Sequence, residues 1–391
     1  MTITLNKNST FLDDLGGKER EIIIPQSTNL DFIIKTWERF NDSFNDHLSE
    51  YKLSQNNSFG YYFVEDSLFE TVITDDDIKS FIFTLSYNDY DFEKITKLGR
   101  FTGYLLRKWF EKNDNFYING HGIEFDYLFF HTTNLKNIIV DNFKGNEIMS
   151  NLGTNGVAGN IVTMNCVGDY IAKNIGTYGK VNSVIGLNNK INHSLSNISG
   201  EVNYCINIDN EGYENGCSLG TNGKLNLFIH YNNSGIGNAK NLAQEKGFVD
   251  TAFLINNNSS GIGADAGTKS RDMYRLNTEK YKGKINNLIV VGNTFRTDYD
   301  HEQTTEHGLG KIIDNYIICN NSDDNFIDES EKAVKWYKNK EGEIKYNELM
   351  NQYKVEQFIT LTKLLQDQEP EQMFKTLKTI DNYYDSIKHY F

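Results

Sequence analysis

From residue 138 to residue 320 the chain repeats one short pattern, apolar-x-apolar-x-Asn, at a nearly constant interval. The asparagines are Asn142, Asn165, Asn188, Asn210, Asn233, Asn257, Asn293 and Asn320, separated by 23, 23, 22, 23, 24, 36 and 27 residues, and Asn119 lies one period earlier. Four positions before them stand Ile138, Ile161, Val184, Ile206, Ile229, Phe253, Ile289 and Tyr316, all apolar and most β-branched. Two positions before, the column is only partly apolar: Val140, Thr163, Gly186, Ile208, Tyr231, Ile255, Val291 and Ile318. A period-two apolar run closed by asparagine reads as a short strand ending in a turn. The interval is too short for a propeller blade and lacks the helical pattern of ankyrin or tetratricopeptide units, so it predicts one coil of a parallel β-helix. Stacked about 4.8 Å apart, identical asparagine amides can donate and accept along the axis, and Asn also tolerates the left-handed backbone of a tight corner.

A second phrase recurs with the same rhythm. Leu152-Gly153-Thr154, Ile175-Gly176-Thr177, Ile198-Ser199-Gly200 and Leu219-Gly220-Thr221 step by 23, 23 and 21 residues, which puts "NLGTNG" and "SLGTNG" at one corner, three coils apart.

On these columns the stretch from about residue 115 to 325 resembles the right-handed parallel β-helix superfamily, which includes pectate lyases and phage tailspikes and in which stacked Asn ladders are familiar. The resemblance implies architecture alone. No lyase signature accompanies it, and a fold does not dictate a function.

Outside the repeat the periodicity changes. Ile95, Leu98, Phe101, Thr102, Leu105, Leu106 and Trp109 share one helical face, which predicts an N-terminal plug for the solenoid. Leu30, Ile33, Trp37, Phe40, Phe44, Leu48 and Tyr51 form a similar face, while "REIIIP", "FGYYFVED" and "KSFIFTLSY" read as strands. Past Asp328, "ESEKAVKWYKNK" and the segments after it read as helical. In the last, Met373, Leu377, Ile380, Tyr384, Ile387 and Phe391 make a seam for packing on the solenoid or on a second copy, the former preferred because two heptads seldom specify a dimer. The expected fold is mainly β: an α/β cap domain over 1–113, a parallel β-helix of about 23 residues per coil over 114–327, and a helical C-terminal segment over 328–391.

Composition narrows the function classes. A net charge of −14, from 53 acidic and 39 basic residues, argues against a phosphate-backbone partner, so no nucleic acid is expected. No run of about 18 apolar residues and no basic-then-apolar start are present, so the expectation is a cytoplasmic protein without membrane partners. Cys166, Cys205, Cys217 and Cys319 lack CxxC spacing and fall in different columns, consistent with buried thiols and no zinc knuckle.

Chemistry is sought where the period breaks. The two long intervals carry "TKSRDMYRLNTEKYKGK" (268–284) and "TFRTDYDHEQTTEHGLG" (294–310), both following an Asn corner and so expected side by side on one flank. They supply Arg271, Asp272, Tyr274, Arg275, Arg296, Asp298, Asp300, His301, Glu302, Glu306 and His307. Arg275, Arg296, Asp298 and Asp300 are the catalytic candidates, for acid/base work on a sugar; Arg271, Tyr274, His301 and His307 are the ligand-binding candidates. A solvated polar loop has the same composition and is the preferred reading. No metal is assigned, because neither an HExxH pattern nor an EF-hand frame supports one, and no cofactor is expected. Gly235 and Gly261 follow successive Asn corners and read as repeat turns, Lys180, Lys224 and Lys311 as solvated corners, and His230 as a surface residue beside Asn207 and Leu254. His121 and His131 have no nucleophile beside them in the pattern. Two functions remain: a non-enzymatic scaffold for a protein partner or an extended glycan, with oligomers through the C-terminal helices open, or a carbohydrate-active lyase or hydrolase with its groove beside the insertions.

Overall fold

The computed structural model describes residues 2–4, 21–23, 27, 29–43, 53–88, 90–239, 241–243, 246–260, 283–295, 313–321 and 333–391. Strands β1 (Thr2–Thr4) and β2 (Glu21–Ile23) form an antiparallel pair. Four helices follow: α1 (Leu30–Ser43), α2 (Leu53–Ser67), α3 (Asp75–Leu85) and α4 (Phe92–Phe110).

Two expected strands are therefore helices. "FGYYFVED" lies in α2 and "KSFIFTLSY" mostly in α3. The apolar residues of α3 satisfy both periods, but Ile78, Phe81, Ile82 and Leu85 give the helical stripe, and a capping box starts the helix. The Asp77 N–H donates to the Thr74 hydroxyl (3.2 Å), and the Thr74 N–H donates to the Asp77 carboxylate (2.9 Å). Helix α4 is the expected plug: Leu98, Phe101, Thr102, Leu105, Leu106 and Trp109 are buried. Trp109 meets Phe116 of the first rung edge-on at 5.2 Å, so helices and solenoid interior share one core.

The rungs follow, and the described strands from residue 157 to residue 295 alternate a long and a short one. In chain order they are β3 (Asn115–Asn119), β4 (Asn137–Asp141), β5 (Val157–Met164), β6 (Val167–Asp169), β7 (Lys180–Leu187) and β8 (Lys190–Asn192). They continue with β9 (Glu201–Ile208), β10 (Glu211–Tyr213), β11 (Lys224–Tyr231), β12 (Ser234–Ile236), β13 (Phe248–Ile255) and β14 (Asn258–Ser260). The last are β15 (Lys284–Val291), β16 (Thr294–Phe295), β17 (Ile313–Cys319) and β18 (Ala333–Lys338). The long strands make a ten-stranded sheet and the short ones a six-stranded sheet, and the solenoid ladders between rungs are parallel. The third side is a run of turns in which alternate residues have positive φ, as at Glu147, Met149, Asn151, Gly153 and Asn155, and hydrogen bonds still join the coils. The chain is thus a parallel β-solenoid with an asparagine ladder, and Leu152, Ile175, Ile198 and Leu219 stack inside it on successive coils.

The ladder is not the column expected. Registers place Asn189, Asn210, Asn233, Asn257, Asn293 and Asn321 in one buried or half-buried row, whereas Asn142, Asn165, Asn188 and Asn320 belong to the neighbouring row. That second row is the corner itself, with φ of 52–57° at these four residues. In the inner row each Oδ1 accepts the N–H of the residue one coil earlier, at 2.8 Å for Asn189 to Asn210 and 2.9 Å for Asn233 to Asn257. Each Nδ2 donates to a backbone carbonyl, as Asn210 does to Gly186 (3.0 Å) and Asn293 to Leu254 (2.9 Å).

The expected apolar column also mixes two rows. Ile138, Ile161, Val184, Cys205, Phe228, Ala252, Leu288 and Tyr316 face the interior. Ile139, Val162, Ile185, Ile206, Ile229, Phe253, Ile289 and Ile317 face outward yet are fully buried. They are covered by α5 (Asn339–Gln352), α6 (Val355–Leu364) and α7 (Pro370–Ile387). The seam expected in the last helix lies on the chain's own sheet: Met373, Leu377, Ile380, Tyr384 and Ile387 are buried there. "ESEKAVKWYKNK" was expected as helix, but its AVKWYK is β18, since Trp336 continues the interior row against Tyr316 with ring centroids 4.8 Å apart.

One carboxylate fastens the cover. Asp381 accepts from Asn160 Nδ2 (2.9 Å), Asn182 Nδ2 (2.7 Å) and the Tyr204 hydroxyl (2.6 Å) of three successive coils. Burial, followed by this carboxylate, holds the Tyr204 phenol well above its usual pKa.

Two predictions follow from these contacts. Asn210→Leu removes a buried amide that serves three coils and should cost about 2–3 kcal/mol in urea unfolding, whereas Asn188→Leu at the exposed corner should cost about 1 kcal/mol, mainly for an L side chain in left-handed backbone. Equal losses would contradict the assignment of the two rows. Asp381→Ala leaves the buried Tyr204 hydroxyl without its acceptor and should cost about 1–3 kcal/mol; a Tyr204→Phe background should reduce that loss in a double-mutant cycle.

Candidate functional site

The described flank that concentrates titratable and aromatic side chains is the corner where the short strands end. Tyr170, His193, Glu214 and Gly237 occupy equivalent positions on successive coils, with φ of 59, 58, 52 and 66°. Their left-handed backbone turns each N–H toward the next coil: Tyr170 donates to Asn192 O (2.9 Å) and Glu214 to Ile236 O (2.7 Å). The same turn aligns the side chains along the axis. Tyr170 and His193 stack at 4.9 Å and 10°, Glu214 Oε2 lies 3.2 Å from His193 Nδ1, and Tyr213 meets His193 edge-on at 5.3 Å. Lys173 Nζ sits 4.0 Å from the Tyr170 ring centroid and 4.0 Å from Glu147. The Glu214 carboxylate, more than burial, pushes the Tyr213 phenol up, while burial pushes the Glu147 carboxyl up. The neighbouring row continues the pattern, with Asn192 Nδ2 donating to Asp169 (2.8 Å).

A His–carboxylate pair is half of an acid/base site. Here its partners are used along the column instead of converging on a space beside it: Tyr170 covers a face of His193, and Glu214 holds its Nδ1. Among the described residues no group of three His, Cys, Asp or Glu side chains is placed to hold a metal. A cleft of about 400 Å³ on the N-terminal helices is lined by Glu65, Phe69, Val72, Lys108, Trp109 and Lys112, and its Lys108 and Glu65 face each other at 3.7 Å.

Arg271, Asp272, Tyr274, Arg275, Arg296, Asp298, Asp300, His301, Glu302, Glu306 and His307 lie outside the described residues, as do Gly261 and Lys311. The strands that precede the two insertions are described. β14 ends at Ser260 and β16 at Phe295, and the two pair directly, Asn258 with Thr294 and Ser259 with Phe295. Both insertions therefore begin from adjacent rungs of the short sheet, the sheet whose earlier strands lead into Tyr170, His193 and Glu214.

The other candidates are structural. Gly235 has φ of 133°, and a Cβ there would fall 1.8 Å from Gly212 O, so its glycine serves close stacking of coils. Lys180 pairs with Glu201 at 2.8 Å across one rung. All four cysteines are buried and none forms a disulfide, and burial pushes the Cys166 thiol up to about 12.

His230 corrects the expectation of a surface residue: it is fully buried inside the solenoid, its Nδ1 3.1 Å from Asn207 Nδ2. It is indeed opposite Ile229, but Ile229 faces the helical cover, so the opposite side is the interior. The Tyr170–His193–Glu214 column escaped the sequence pattern because its members share only a backbone position, and the register that aligns them comes from the neighbouring strands.

Burial pushes the His230 pKa down to about 3, and burial followed by the Arg100 charge does the same at His131. In the unfolded chain both rise to about 6.5, so between about pH 6.5 and 3 the unfolded state binds more protons and stability falls as pH falls, by up to about 1.4 kcal/mol per pH unit for each histidine. His230→Asn, which repeats the Asn207 side chain one coil on, should lower the slope of unfolding free energy against pH by about one proton. An unchanged slope between about pH 6 and 4 would show that His230 is not held neutral in the fold.

No protein-family model, curated protein or solved structure matches this chain.

Proposed function

We propose that this chain is a non-enzymatic β-solenoid scaffold that offers a rigid, extended flank to a protein partner or an extended glycan. The observation that carries the reading is how its outer polar side chains are used. They bond to their own counterparts one coil away: Lys180 with Glu201, Asn192 with Asp169, Asn188 with Asn165, His193 with Glu214. A surface satisfied in columns is stiff and repetitive, which suits display along an axis better than attack on one bond. At the usual inter-strand spacing, the ten-stranded sheet gives a flank roughly 40 Å long. Four buried cysteines without a disulfide fit a reducing compartment, in keeping with a cytoplasmic location. No helix among the described residues is long and apolar enough to cross a membrane.

A carbohydrate-active enzyme is the second reading. The direct pairing of β14 with β16 favours it, because segments 261–282 and 296–312 then start from neighbouring rungs of one flank. Melting curves and product assays against a glycan panel separate the two. The scaffold reading expects no cleavage of any glycan, and any glycan-dependent shift in Tm should survive Arg275→Ala, Arg296→Ala, Asp298→Ala and Asp300→Ala. Cleavage lost with those four changes would replace it with the enzyme.

A further inference from the structure

The solenoid interior changes character along its axis. At the strand position of His230 successive coils carry Val140, Thr163, Gly186, Asn207, His230, Leu254, Val290 and Ile318. Backbone bonds between coils align Ile148, Ile171, Ser194, Asn215 and Asn238 on the turn side. Both rows carry polar side chains together in two successive coils, those of Asn207 and Asn215 and of His230 and Asn238, with Ser194 polar on the turn side one coil earlier. Ser194, Asn207, Asn215, His230 and Asn238 are all at most 1 % exposed. Gly216 lets the turn side approach these groups closely: a Cβ there would lie 3.0 Å from the Phe228 ring and 3.2 Å from His230 Nδ1.

Hydrogen-bond accounting then leaves particular atoms over. Asn215 is satisfied: with its amide oriented to suit its neighbours, the nitrogen donates to Ile191 O (2.8 Å) and Ser194 Oγ (2.9 Å), and the oxygen accepts from Gly212 N (3.1 Å). Asn207 donates its amide to His230 Nδ1, which makes Nδ1 the acceptor nitrogen of a neutral ring and puts the hydrogen on Nε2. That Nε2–H has no acceptor in the protein, and neither the nitrogen nor the oxygen of the Asn238 side chain has a partner. His230 and Asn238 belong to one coil, on its strand side and its turn side. No charged group contributes to the His230 environment, and the nearby titratable groups Cys205 and Cys217 are buried thiols.

An apolar void would leave these donors and acceptors unmatched, whereas a water needs two to four polar partners and a polar lining. We propose that the middle coils of the solenoid enclose a site for ordered water, in which one molecule accepts from His230 Nε2–H and donates to Asn238 Oδ1. Asn207, Asn215, His230 and Asn238 are at most 1 % exposed, so this water exchanges only when coils part.

The test uses the full chain. A crystal structure should show a water peak about 2.7–3.2 Å from His230 Nε2. In solution, oxygen-17 relaxation dispersion should count at least one more long-lived water in the wild type than in His230→Leu/Asn238→Leu. A direct Nε2–Asn238 contact with no density between, or equal counts in the two proteins, would overturn the proposal. If the double variant does not fold, the wild-type density decides alone, in either direction.

Discussion

The inner asparagine amide is the contact on which the coil geometry depends. Asn233 illustrates it: its Oδ1 accepts from Asn210 N–H on the previous coil, its Nδ2 donates to Asn207 O, and its own N–H donates to Asn257 Oδ1 on the next. One residue thus ties three coils at a corner where the backbone cannot supply a strand ladder. Aspartate lacks the donor and would bring charge into a buried row, and glutamine is too long for the same span. Because every amide measures against the next, the row sets both the rise per coil and the register of the strands entering the corner. A slip of one residue would send each long strand's side chains to the opposite face.

Register matters here because the long sheet is buried on both faces. Its inner row meets the interior and its outer row meets α5 to α7. Such a sheet cannot be left bare: a face of Ile139, Val162, Ile185, Ile206, Ile229 and Phe253 would be a large apolar patch. The C-terminal helices are therefore a lateral cover, and the end closure falls to α4. Asp381 gives the cover its axial position, since it bonds to residues on three consecutive coils and a shift by one coil would lose that set.

The same two-sided burial explains what the amino-acid pattern revealed and what it hid. Period and architecture were legible because Ile, Val and Asn recur at strand ends whichever row is followed. The exact row was not. Between β7 and β9 the coil is one residue shorter than the asparagine step from Asn188 to Asn210, so the pattern crosses from the corner row to the ladder row there. The apolar position four residues earlier crosses with it, from Val184 of the interior to Ile206 of the outer face, and nothing in hydrophobicity marks the change. His230 was misplaced by this shift. The helices α2 and α3 were misread for a related reason, since aromatic-rich runs such as Phe81 to Leu85 satisfy both periods and the Thr74–Asp77 capping box decides between them. The column of Tyr170, His193 and Glu214 left no trace in residue type at all.

Stacking in columns also constrains where this fold can hold chemistry. A side chain that repeats its neighbour's position is nearest to its own counterparts, about one inter-strand spacing away, and is satisfied by them before any ligand arrives. Tyr170, His193 and Glu214 illustrate the limit: three different side chains in one row still pair along the axis. To gather groups around a space, a solenoid must interrupt a row. Among the described residues the interior does so where Asn207, His230 and Asn238 replace Val, Ile and Leu, and there the space is sealed. On the outside, β14 and β16 end at Ser260 and Phe295, where the described residues of the short sheet end. The inner interruption has no access to solvent, so it cannot take a substrate from outside.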